Sequence, residues 1–121
     1  MPGNKDVNDF MGQALEGVRV IDISNFLAGP ISSMFLGDLG ADVIKVERPG
    51  TGDEIRYWGH NKDGVGLMYK LVNRNKRSVT ADLRTPFGVE IVKALIRDAD
   101  IIVENYRKGT LEKWGLDYET L

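Results

Sequence analysis

The stretch VRVIDISNFLAGPISSMFLGDLGADVIKVE, Val18 to Glu47, decides the fold. Its opening, Val18 to Ser24, is an apolar run of the kind that forms a buried strand. Pro30 suits the first position of a helix, Ile31, Met34, Phe35 and Leu39 then fall on one helical face, and Gly40 is placed to end it. Ala41 to Glu47 reads as a second strand, closed by the glycine-rich loop Pro49 to Gly52. Strand, helix and strand make a βαβ unit, and a right-handed crossover sets its two strands parallel and adjacent.

Working outward, the segment from Asp53 to Asn75 is punctuated by Gly59, Gly64 and Gly66 and reads as a long, ligand-facing connection, with a short helix over Leu67 to Val72. Arg77 to Leu83 is predicted as a third strand. Thr85 and Pro86 open a helix whose Val89, Val92, Leu95, Ile96 and Ala99 recur at helical spacing. Asp100 to Glu104 is predicted as a fourth strand, Thr110 to Trp114 as a brief helical turn, and Asp117 as the N-cap of a further helix. The fold class is therefore α/β, a Rossmann-like, mostly parallel sheet with flanking helices. A helix stopped in its first turn and a sheet edge left unpaired point to an incomplete domain.

With 121 residues, 42% of them hydrophobic, the chain suits one domain with a modest core. Sixteen Lys and Arg against eighteen Asp and Glu give a net charge of -2, so no overall basic field exists of the kind that nucleic-acid binders use, and any anion site must be local. There is no cysteine, hence no disulfide, thiolate nucleophile or cysteine metal site. The start, Met1 to Gly17, lacks the apolar core of a signal peptide and no later run approaches a membrane span, so the expectation is a soluble, cytoplasmic protein.

In an open parallel sheet, ligands bind beyond the carboxyl ends of the strands. There the sequence places Leu27, Ala28, Gly29 and Pro30 after the first strand, Arg48 after the second, Arg84 after the third, and Asn105, Tyr106, Arg107 and Lys108 after the fourth. Taken singly, each cation reads as a solvated loop residue; their recurrence on one rim suits phosphates, which a guanidinium can grip with two hydrogen bonds. The turn Ala28-Gly29-Pro30 reads either as an ordinary tight turn or as bare backbone for a ligand near a helix N-terminus. No GxGxxG follows the first strand, which argues against NAD or FAD. The lone His60 reads as a surface loop residue, Asp22 as structural, and Tyr57 and Trp58 as packing on a ligand ring or in a core; no metal-ligand spacing is present.

Together these segments resemble the N-terminal part of the family III CoA-transferases, which include formyl-CoA transferases, carnitine CoA-transferases and α-methylacyl-CoA racemases. The resemblance starts at LEGVRVIDIS and runs through AGP, LGDLGADVIKVERPGTGD, NRNKRSVTADLRTPFG and DADIIVENYRKGTLEKWGLDYETL, leaving residues 1–14 as a polar leader. It implies that residues 15–121 are the first part of a CoA-binding, Rossmann-like large domain. Leu27 and Ala28 would touch coenzyme A, Arg48 would lie by its adenosine end, Ala81, Asp82, Leu83 and Arg84 would line the nucleotide, and Asn105, Tyr106, Arg107 and Lys113 would complete that wall. Formyl-CoA transferases carry a glutamine at the place of Leu27, and some members an arginine at that of Lys113. The resemblance further implies an interlaced homodimer and an aspartate nucleophile that attacks an acyl-CoA thioester to give a mixed anhydride, from which CoA passes to a carboxylic acid. Racemase members instead move the α-proton with an acid/base pair. None of Asp98, Asp100 or Asp117 matches the catalytic position, so the segment alone is expected to be inactive. The alternatives carried beside the transferase are the racemase and a noncatalytic nucleotide-binding module ending at Leu121.

Overall fold

The computed structural model describes residues 12–121, so the leader lies almost wholly outside the described residues. The element order is β1 (Arg19–Asp22), α1 (Ala28–Asp38), β2 (Asp42–Glu47), a 3-10 turn (Glu54–Tyr57), β3 (Asn61–Lys62), β4 (Val65–Gly66), α2 (Leu67–Val72), β5 (Lys76–Thr80), α3 (Pro86–Ile96), β6 (Ile101–Val103) and α4 (Thr110–Trp114). Four strands form one sheet in the order β5-β2-β1-β6, with every pairing parallel, and β3 and β4 make a small antiparallel hairpin apart from it. The order reverses at β1, where the chain leaves β5 on one side and returns as β6 on the other. In such sheets this reversal opens the crevice that holds a ligand.

Side chains alternate across the sheet as the pleat requires. Ile21 and Ile23, Ile44 and Val46 pack with Val89 and Val92 of α3 and with Leu116, and half-buried Leu111 and Trp114 of α4 lie against the same cluster. Val20 and Val43 pack on the other side with Ala41 and half-buried Leu36 of α1, while Met34 of α1 joins Ile55 and Val72. Thr85 caps α3 by accepting from the Gly88 amide at 3.1 Å.

Three expectations are corrected. The third strand ends at Thr80, not Leu83: the Ala81 amide still donates to the Glu47 carbonyl (2.9 Å), but Asp82 then accepts from the Arg84 amide (3.0 Å) and the chain turns away from the sheet. Asp117 accepts from the Thr120 amide (3.3 Å) and hydroxyl (2.6 Å) as an N-cap does, but the residues it caps are a turn and not a helix. On α1, Phe35 and Leu39 are 57% and 50% exposed, and the buried face is Gly29, Pro30, Ser33, Met34 and Gly37. That face is made of small residues because α1 lies close over a polar side of the sheet. A Cβ on Gly29 would overlap the Ser24 side chain.

Candidate functional site

Under α1 the alternation places charge where a parallel strand ordinarily carries aliphatic side chains: Asp22 on β1, Lys45 and Glu47 on β2, and Lys76 on β5. Each is paired, as burial demands. Lys76 Nζ donates to Asp22 Oδ2 (3.0 Å), the Pro30 carbonyl (2.9 Å) and Asn73 Oδ1 (2.9 Å), using all three of its protons. Asp22 also accepts from the Ser24 hydroxyl and amide and from Ser33 Oγ (2.5 Å). Burial opposes its ionisation, yet the Lys45 and Lys76 charges and the two hydroxyls outweigh that and hold its carboxyl below the usual range. Lys45 Nζ donates to the Ser24 carbonyl (3.0 Å) and lies 2.9 Å from Asp53 Oδ2 as an ion pair without hydrogen-bond direction. Glu47 receives Arg56 Nε (2.7 Å) and Nη2 (2.8 Å), the Tyr69 hydroxyl (2.6 Å) and the Asp53 amide (2.8 Å). Although burial works against its charge, these donors bring its pKa from 4.5 down to about 2.

This network underlies the turn from β1 into α1. Phe26 there has a φ of 65°, left-handed and uncommon for a bulky residue. The Asn105 amide clasps the backbone of the preceding residue, accepting from Asn25 N (2.9 Å) and donating to Asn25 O (2.6 Å), while Asn25 Nδ2 donates to the Tyr106 hydroxyl (2.6 Å). The turn thus joins the ends of β1 and β6.

Beyond the carboxyl ends of the strands lies a cleft of about 500 Å³, a size that suits a small-molecule ligand. Asn25 and Phe26 form one side, Arg48 and the 51–58 segment another, and Ala81, Asp82, Leu83 and Arg84 the floor beyond β5, with Tyr106 and Trp114 closing the end. Phe26 and Trp58 are tilted ring neighbours, 5.7 Å between centroids, and both are exposed, as is Tyr57. Tyr106 stands edge-on to Trp114 at 5.0 Å.

Six of the eleven predicted site residues therefore share one cleft: Arg48, Ala81, Asp82, Leu83, Arg84 and Tyr106. Lys113 borders a smaller depression that shares Leu83, Arg84 and Trp114 with it, and Arg107 borders a separate groove that shares Tyr106. Leu27 and Ala28 are exposed beside Phe26 but do not line the cleft, and Asn105 spends its amide on the turn. The rim is less basic than its sequence suggests. Arg84 is held by Asp82 through two hydrogen bonds (2.8 and 2.7 Å), a pairing that lowers the Asp82 carboxyl to about 2. Arg48 is exposed and makes no ion pair among the described residues. Gly29 leaves the space that the Ser24 side chain occupies, which a Cβ there would overlap. His60 is exposed on the connection and stands outside the cleft. Sequence reading missed Phe26, Trp114 and the buried role of Asp53: the left-handed backbone at Phe26 has no glycine to announce it, and the two aromatics carry no periodic signal. No group of residues able to hold a metal ion occurs among the described residues, and no helix there is long and apolar enough to cross a membrane.

A parallel α/β sheet with its cleft at the strand carboxyl ends defines a Rossmann-like unit. The chain belongs to CoA-transferase family III, which matches it over residues 15–121. It is 51% identical over 108 residues to the succinyl-CoA--D-citramalate CoA-transferase of Chloroflexus aurantiacus, covering 88% of this chain and 27% of that protein. To the human succinyl-CoA:glutarate CoA-transferase it is 49% identical over 117 residues, covering 96% of this chain and 26% of that one. Among solved structures it is similar to a CAIB/BAIF family protein from Brucella suis, with a TM-score of 0.83 and 45% identity over 89% of this chain and 30% of that chain. The chain thus spans about a quarter of the length of the curated relatives it matches.

Proposed function

We propose that residues 15–121 form the first part of a CoA-binding domain, and that the whole protein moves CoA from an acyl-CoA thioester to a carboxylic acid. The observation that carries this reading is Arg48, without an ion-pair partner among the described residues, on the rim of a cleft at the strand ends that five aromatic residues help to line, beside a turn after β1 that lacks GxGxxG. A guanidinium there suits the phosphates of CoA, and Tyr57, Trp58 and Phe26 offer flat faces to a base or a pantetheine arm. Relatives named for succinyl-CoA support a dicarboxylic acyl group, and their transferase names favour transfer over racemisation. In this reading an aspartate supplied from outside this segment attacks the thioester carbonyl to form a mixed anhydride, and the expelled CoA thiolate attacks its aspartyl carbonyl, releasing the donor carboxylate and leaving an aspartyl-CoA thioester. The acceptor carboxylate attacks that thioester, and the thiolate cleaves the second anhydride at the acceptor's carbonyl, giving the new acyl-CoA and freeing the aspartate. The protein acts as a homodimer, and the segment alone is catalytically inactive.

Calorimetric titration of the full-length protein with CoA, 3′-dephospho-CoA and NAD tests the reading. CoA is expected to bind most tightly, and Arg48→Ala to weaken CoA about tenfold while affecting dephospho-CoA less. Preference for NAD over CoA would overturn the reading; equal losses for the two CoA forms would remove Arg48 from the 3′-phosphate.

A further inference from the structure

We propose that Asp53 is a positioning residue that locks the ligand-facing turn after β1 in its left-handed form. The inference rests on the CoA reading for its ligand, but its geometry does not depend on it. Asp53 is 1% exposed and held from three directions: its amide donates to Glu47 Oε2 (2.8 Å), its Oδ2 faces Lys45 Nζ (2.9 Å), and its Oδ1 accepts from the Ile55 amide (3.1 Å). That same Oδ1 accepts from the Phe26 amide at 3.0 Å. One carboxylate therefore ties the loop after β2 to the turn after β1, two segments 27 residues apart.

Phe26 gains nothing from its own backbone at a φ of 65°, where a side chain crowds the chain. Strain of this kind persists where surrounding contacts over-determine it, and it collects at ligand-binding positions. Here the contacts are identified: Asp53 fixes the Phe26 amide, and Asn105 fixes Asn25 just before it. Held so, Phe26 sets its ring beside Trp58 as one side of the cleft and starts the chain into Leu27 and Ala28. A carboxylate is required because both oxygens must face donors. An amide at this position would turn its NH₂ either on Lys45 or on the Phe26 and Ile55 amides.

The test is a double-mutant cycle on CoA affinity in the full-length protein, with Asp53→Asn and Phe26→Gly made singly and together. Glycine takes the left-handed conformation without help. Asp53→Asn is expected to weaken CoA about tenfold when Phe26 is kept and less than about twofold when it is added to Phe26→Gly. An equal loss in both backgrounds would show that Asp53 acts through the fold at large and would overturn the proposal. Should Asp53→Asn fail to fold, it is made together with Phe26→Gly: recovery of a folded, CoA-binding protein in the glycine background is expected, whereas failure in both backgrounds would overturn the proposal. If the unaltered protein binds no CoA, the functional reading fails. The same cycle is then read in Tm, where coupling upholds the lock and additivity refutes it.

Discussion

At Glu47 burial and hydrogen bonding pull in opposite directions, and the donors win, leaving a carboxylate whose pKa falls from 4.5 to about 2 on folding. A depressed pKa stabilises the fold fully above its unfolded value and loses that contribution as pH falls through the folded one. Stability is therefore expected to drop between pH 4.5 and about 2 by up to about 3 kcal/mol from this residue. Urea unfolding against pH checks it, and Glu47→Gln, though less stable at pH 7, is expected to flatten the slope in that window. At this scale the sequence was partly legible. Asp22 read as structural from its place among aliphatic neighbours, and the structure buries it among Lys45, Lys76 and two serines. The strand-end cations were visible as a set, but not that Asp82 engages Arg84, because a pair two residues apart depends on a turn that alternation does not reveal.

Among elements, α1 separates what periodicity can and cannot tell. Its existence and its break at Gly40 follow from pattern, but its large apolar residues Phe35 and Leu39 are exposed while Gly29, Ser33 and Gly37 face inward. Hydrophobicity marks a buried face only where the opposing surface leaves room for large side chains, and here the helix comes too close. Gly29→Ala is therefore expected to destabilise the protein by about 1–3 kcal/mol, as overpacking does, measured by thermal or urea unfolding. A loss below about 0.5 kcal/mol would mean that the helix can shift away from Ser24 freely. The helix α2 lies where sequence placed it, whereas β5 stops early because Ala81 to Leu83 keep the apolar alternation of a strand while leaving the sheet to line the cleft.

Across the whole molecule the parallel order β5-β2-β1-β6 brings Asp22 and Lys76 together over 54 positions of chain. The βαβ arithmetic made the sheet legible, while the charge pairing was not, since no local pattern links residues so distant. Lys76→Met is expected to cost about 3 kcal/mol or more by leaving Asp22 short of its nearest cation, and Lys76→Met with Asp22→Asn to cost less than the sum of the two single changes. Additive losses in urea unfolding would show the pair to be uncoupled. The network also bears on descent. Any lineage that alters Asp22, Lys45, Asp53 or Lys76 one at a time must pass through a protein with a stranded interior charge. These four positions are therefore expected to be kept or exchanged in company, and a family tree of such chains to show them changing on the same branches.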